Sequence, residues 1–203
     1  MSSPVSVSVI TVTYNAVEFI AHYLDSVFAI TPTDFSLEVL VVDNGSTDGT
    51  LALLESEYAG VRLLKNDQNN YARALNLGIA SATGDFIVIS NNDATVDSGW
   101  VQGFLHVFQT DQRIGAVQSK IFFSDSQLIN SVGVEEVEHF YFRDIGFEEE
   151  DSDRYSKSVE RNYVTGGSVM FRRECLEEVG SWDESCIMFM EDVDYSVRCR
   201  DHG

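Results

Sequence analysis

Proline is almost missing from this chain, with 2 in 203 residues. Pro-rich linkers are therefore excluded, and long unstructured connections are not expected. Cysteine is nearly as scarce. Cys175, Cys186 and Cys199 are odd in number and lack a C-x-x-C spacing. That excludes a complete disulfide framework and a tight thiolate metal site, and three reduced thiols of a cytoplasmic protein are expected. Positive charge is the third shortage: 13 Lys and Arg stand against 33 Asp and Glu, a formal net charge of −20. Such a surface repels phosphate backbones and anionic lipid, so no nucleic-acid partner is expected. A salt-adapted source gives the same balance. No apolar run approaches the roughly 20 residues that cross a bilayer, so no transmembrane segment is expected. Met1-Ser2-Ser3-Pro4 also lacks the basic start of a secretory signal.

Apolar residues are not scarce. They make up 44% of the chain, and its length suffices for one α/β domain with a sizeable core. Val5 to Tyr14 alternates valine and isoleucine with small polar residues, which predicts a strand. Helical spacing follows over 16–30. The continuous apolar run 37–42 predicts a strand buried on both faces. Helices are predicted over 50–58 and 71–82, with strands over 61–65 and 86–90. Ser46 or Asp48 is the expected cap of the first of these helices. In the second half, 100–110 reads as a helix, 115–123 and 164–171 as strands, and 173–179 and 191–200 as helices. The acidic, aromatic stretch 135–154 reads as a solvated loop or hairpin, with a flap over a pocket as the alternative. Strands alternating with helices imply a mostly parallel sheet with right-handed crossovers.

Ligands in such sheets bind beyond the carboxyl ends of the strands. Thr13-Tyr14-Asn15, Asp43-Asn44 and Asn91-Asn92-Asp93 all fall at such ends. Three strand ends are therefore expected to meet at one crevice. A second acidic cluster, Glu191-Asp192-Val193-Asp194, opens the last helix. Successive helix residues diverge by about 100°, so its three carboxylates cannot converge on one point. The helix dipole there favours an ionised side chain.

Eight motifs occur in a fixed order: Val12-Thr13-Tyr14-Asn15, the segment from Val41 to Thr50, Tyr71 to Gly78, Ala82-Thr83-Gly84-Asp85, Asn91-Asn92-Asp93, Gly166-Gly167, Trp182-Asp183-Glu184 and Glu191 to Asp194. In that order they resemble family 2 glycosyltransferases of the GT-A fold, in the rhamnosyltransferase-like branch. The resemblance runs from Val5 to the end. It implies a Rossmann-like, mostly parallel central sheet with a smaller mixed β region on the acceptor side. It implies one domain over 1–203, with 1–95 binding the nucleotide and 96–203 the acceptor. The implied reaction is inverting transfer from a dTDP- or UDP-linked sugar, rhamnose being one candidate, to a glycan or lipid-linked hydroxyl that feeds cell-surface polysaccharide.

The roles follow by correspondence. Asp43 would face the base, with Thr13, Tyr14, Asn15 and Asn44 around it. Arg73, Asn76, Asn91, Asn92, Gly166, Gly167, Trp182 and Glu191 complete the substrate-binding set. Asp93 would hold Mg2+ or Mn2+, and Asp192 would be the catalytic base. The first aspartate of the family's Asp-X-Asp metal motif is Asn91 here, which leaves one carboxylate. A glycine common before the 71–82 helix is Asn70 here, a residue that tolerates positive φ. Relatives usually continue past the segment ending in His202-Gly203, so a C-terminally truncated or short member is expected, and Gly203 is the expected helix C-cap. A cytoplasmic location, peripheral at the inner membrane face, is expected, and a homodimer is left open. Two other functions stay open at this stage: a nucleotide-sugar-binding fragment without transfer, and a nucleotidyltransferase.

Overall fold

The computed structural model describes residues 4–138, 140–186 and 190–203. Its centre is a six-stranded sheet in the order β3-β2-β1-β4-β10-β5. The first four strands are β1 (Val5–Thr13), β2 (Phe35–Asp43), β3 (Val61–Lys65) and β4 (Phe86–Ser90). They pair in parallel. β5 (Ala116–Gln118) and β10 (Ser168–Arg172) complete the sheet, and β10 runs antiparallel to both neighbours.

Side chains of a strand alternate between faces, and each strand here feeds two cores. Val7 and Val9 of β1, Val39 and Val41 of β2, Val88 of β4 and Met170 of β10 point to one core. There they meet α1 (Ile20–Phe28), α2 (Thr50–Glu57) and α4 (Trp100–Thr110). Ile10, Val12, Leu40, Val42, Ile87, Ile89, Val169 and Phe171 point to the other. There they meet α3 (Tyr71–Ser81), α5 (Arg173–Val179) and α6 (Glu191–Asp201). Burial on both faces explains the unbroken apolar run of β2. α3 lies close enough to the sheet that only glycine fits at 78. A Cβ there would stand 2.7 Å from Ile10 Cγ2.

Several expectations need correction. The first helix starts at Ile20 rather than 16, because Ala16 and Val17 donate their backbone N–H groups to Thr50 and Asp48. The 115–123 stretch splits. Its first part joins the sheet as β5, and β6 (Ile121–Phe122) pairs instead with β7 (Ile129–Ser131). The 164–171 strand begins only at Ser168, after the Thr165-Gly166-Gly167 turn. Asn70 is not left-handed: its φ is −135°, and its Oδ1 accepts the Arg73 N–H, so it is the N-cap of α3. The 135–154 stretch contains a hairpin, β8 (Val134–Glu138) with β9 (Tyr141–Asp144), as one of its readings had it. Gly203 does take positive φ beyond α6. Among the described residues no helix is long and apolar enough to cross a membrane.

Candidate active site

Parallel pairing in register sets the end of β2 beside the end of β1, with Asp43 opposite Thr13. Asp43 is 1% exposed. Its Oδ2 accepts the N–H groups of Gly45 and Ser46, both at 3.0 Å, and so shapes the turn that leaves the strand. Its Oδ1 is buried with no partner among the described residues. Asn44 is committed to structure, since its N–H donates to Thr13 O and its Oδ1 accepts from Asn66 Nδ2 at 2.7 Å. Asn66 in turn accepts from Arg73 Nε at 3.1 Å, while the Arg73 guanidinium pairs with Asp67 at 3.0 Å. Asn15 sits at φ 49°, its Oδ1 accepting the Thr47 N–H and its own N–H reaching Ser46 Oγ. Tyr14 is about half exposed and makes no side-chain hydrogen bond among the described residues. The groups left available at this corner are thus the Tyr14 ring and Asp43 Oδ1.

The next corner is the end of β4, on the other side of β1. Asn92 Nδ2 donates to Thr13 Oγ1 at 3.0 Å and ties the two strand ends. The Asn91 N–H donates to Gly167 O at 3.2 Å. The reversed direction of β10 is what brings its leading turn, Gly166-Gly167, to the same rim where β1, β2 and β4 finish. Asp93 is exposed and makes no hydrogen bond or ion pair among the described residues. No cluster of three or more His, Cys, Asp or Glu side chains capable of holding a metal occurs among them. One unpaired carboxylate does not cage an ion. It does fit Mg2+ or Mn2+ held jointly with substrate phosphates, the usual mode for these hard cations.

α6 supplies the third corner. Its approach through Ile187, Met188 and Phe189 lies outside the described residues. Met190, at φ 67°, turns the chain into the helix. Asp192 Oδ2 accepts the Gly166 N–H at 3.2 Å, and Oδ1 accepts the Val193 N–H at 2.8 Å. Burial raises its pKa above the ordinary aspartate value, against the pull of these N–H groups, and the Asp144 carboxylate on β9 adds to the rise. The helix-dipole expectation of a more acidic group is therefore outweighed by desolvation. Glu191 is shifted upward too, by burial first and by Asp192 as well, and its Oε2 is buried without a partner among the described residues. Asp194 turns away to pair with Arg198 at 2.9 Å.

Asn76 and Trp182 lie behind this rim, locked together. Asn76 Nδ2 donates to Trp182 O at 2.9 Å, and the Trp182 N–H donates to Asn76 Oδ1 at 2.8 Å. The indole stacks on Tyr195 at 4.3 Å and stands edge-on to Phe171. The Asn76 amide is thus taken up by backbone bonds and the Trp182 ring by packing, while Trp182 Nε1 is buried without a partner among the described residues. A cavity of about 1220 Å³ lies elsewhere and is lined by none of the residues expected to bind substrate or metal or to act in catalysis. It runs along β5 between the 154–162 loop and the far ends of α5 and α6.

Two residues at the rim escaped sequence reasoning. Asn66 follows β3, a fourth strand end that adjoins the other three. Its position directly after a predicted strand was the available signal. Tyr71 opens α3, and burial first, then the charges of Glu191, Asp192 and Asp93, raise the pKa of its hydroxyl. Nothing in the sequence placed it between clusters about a hundred residues apart.

The family model described as "Glycosyl transferase family 2" matches residues 8–180. An N-acetylglucosaminyl-diphospho-decaprenol L-rhamnosyltransferase of Mycobacterium tuberculosis is 28% identical over 94% of this chain and 69% of its own length. The mannosyltransferase PcManGT of Pyrobaculum calidifontis, solved with GDP-Man and Mn2+, superposes with a TM-score of 0.68 at 25% identity. That match covers 93% of this chain and 50% of the mannosyltransferase, so the chain spans half of that enzyme's length. GalNAc-T7, at 16% identity, shares the fold alone, with a TM-score of 0.75 over 97% of this chain and 40% of its own. A GT-A sheet whose strand ends carry the expected motifs, together with a family match over most of the sequence, leads to one conclusion: the chain belongs to glycosyl transferase family 2.

Proposed function

We propose that this chain transfers a sugar, with inversion, from a nucleoside diphosphate sugar to a hydroxyl of a lipid-linked or glycan acceptor. The observation that carries the reading is the chain of contacts linking three distant carboxylates. Asp43 stands beside Thr13, Thr13 is bonded to Asn92 next to Asp93, and Asn91 is bonded to Gly167, whose neighbour Gly166 donates to Asp192.

The parts divide the work. Asp43 Oδ1 is a buried acceptor without a donor among the described residues, which suits the imide N–H of uracil or thymine, and the Tyr14 ring offers an apolar face for the nucleobase. Asp93 would hold Mg2+ or Mn2+ together with diphosphate oxygens, and the cation would neutralise charge on the departing diphosphate. Local bases do not replace it. Arg73 is paired with Asp67, and Lys65 with Glu55 at 2.9 Å. Asp192 takes the proton of the acceptor hydroxyl as its oxygen bonds to the anomeric carbon and the bond to the diphosphate breaks on the opposite face. Its raised pKa makes it a stronger base than an exposed aspartate. The activity of the Mycobacterium relative supports rhamnose as the sugar and a diphospho-polyprenol-linked acceptor, and such an acceptor would put the chain's work at a membrane surface.

The test supplies dTDP-rhamnose or UDP-GlcNAc, Mn2+ and a GlcNAc-diphospho-polyprenol, and follows the acceptor by mass. A glycosylated acceptor that disappears in Asp192→Asn, with donor binding kept, supports the reading. Donor binding with no acceptor product under any pairing refutes transfer by this chain.

A further inference from the structure

We propose that the Tyr71 hydroxyl hydrogen-bonds the transferred sugar, where that sugar lies between the diphosphate and the Asp192 carboxylate. The Tyr71 ring packs on the core beneath α3, where phenylalanine would serve equally well. The hydroxyl makes no hydrogen bond among the described residues, so packing does not account for it. Tyr71 is half-buried, and its hydroxyl is not among the sealed, partnerless polar atoms, so it is reachable and free to bond a ligand in place of water.

Its surroundings identify that ligand. A Cβ placed on Gly166 would lie 3.9 Å from the Tyr71 hydroxyl oxygen and 4.0 Å from Asp192 Cβ. Tyr71, Asp192 and the open backbone of Gly166 thus border one small space. Asp93, Asp192 and Glu191 all bear on the hydroxyl. A bare phosphate would be repelled from a spot faced by three carboxylates, whereas a neutral polyol would not. In an in-line displacement the sugar is the group flanked by the diphosphate on one side and the base on the other. The Tyr71 hydroxyl feels the charges of both residues given those parts, Asp93 and Asp192. Kept un-ionised, the phenol can both donate to and accept from sugar hydroxyls.

The inference rests on the donor reading above, and the experiment separates the two. Tyr71→Phe keeps the ring. Calorimetry with Mn2+ compares UDP with UDP-GlcNAc, GDP with GDP-mannose and dTDP with dTDP-rhamnose, for wild type and variant. The expected result is unchanged affinity for the bare nucleotide and roughly tenfold weaker binding of its sugar conjugate, the size of one hydrogen bond. Equal weakening of both would mark a structural role and overturn the proposal, and so would no change in either. Wild-type protein that binds none of the six ligands would refute the donor reading itself, and the assignment of Tyr71 with it.

Discussion

Asp43→Asn tests the base pocket in a way that a deletion cannot. Asparagine can keep its oxygen where Asp43 Oδ2 now accepts from Gly45 and Ser46, so the turn holds. The amide group then replaces Oδ1, the buried acceptor that lacks a partner among the described residues. A donor now confronts the imide N–H of uracil. The lost bond involves a charged acceptor, a class worth about 1.5–3 kcal/mol. At 1.4 kcal/mol per decade, UDP should bind roughly tenfold to 150-fold more weakly. Cytosine presents an acceptor at the same ring position, so CDP should lose much less and can overtake UDP. Titration of both nucleotides with Mn2+ measures the ratio, and far-ultraviolet circular dichroism checks the fold. If Asp43→Asn binds UDP within about twofold of wild type, Oδ1 does not read the base and the pocket has been misplaced.

Three further outcomes are expected. Because burial raises the Asp192 pKa, the acid limb of the transfer rate should fall at a pH above that of an ordinary aspartate, near 3.9. The same shift has a stability sign. The protonated form is favoured in the fold, so the contribution is complete below the unfolded-state value and is lost as pH rises through the folded one. The melting midpoint of Asp192→Asn relative to wild type should therefore climb between acid and neutral pH, and a difference that stays flat would contradict it. With a net charge of −20 and both nearby bases paired, donor binding should collapse when a chelator removes divalent metal, and calorimetry showing equal affinity would exclude the metal's role. Gly78→Ala gains up to about 1 kcal/mol in helix propensity. It also forces a methyl group to 2.7 Å from Ile10 Cγ2 and 3.2 Å from Val42 Cγ2, where overpacking costs about 1–3 kcal/mol. A net fall of a few degrees in melting temperature is expected, and a rise would show that α3 can lift off the sheet.

The elements legible in the sequence were those whose pattern is local. β3, β4 and α4 fall where periodicity set them, because each is a short run with one dominant period. The meeting of strand ends was legible as well, since parallel order forces the ends of β1, β2 and β4 to one rim. What stayed hidden depends on contacts distant in sequence. Asn70 was read through its tolerance for positive φ, yet its side chain found a free helix N–H, and capping decided its conformation. The basicity of Asp192 was read through the helix dipole, a local effect, whereas burial beneath Gly166 and near Asp144 decides its sign. The Gly115–Phe123 run looked like one strand because nothing within it shows that Ile121 and Phe122 pair with a different partner. Tyr71 resembled any aromatic residue at a helix start. Only the fold reveals that its ring belongs to the core and its oxygen to the rim.

The hairpin β8–β9 stands apart from the six-stranded sheet. It is moored through Val134 to Tyr163 and, by way of a small apolar cluster, to Val193 beside Asp192. Its tip carries Phe140, 85% exposed, and Tyr141, 67% exposed. Evolution can therefore lengthen, shorten or redecorate this arm without retuning a single ladder bond of the scaffold. Sister enzymes could share one way of gripping a nucleotide and still diverge in what they glycosylate, with the variation confined to an appendage anchored one residue from Asp192.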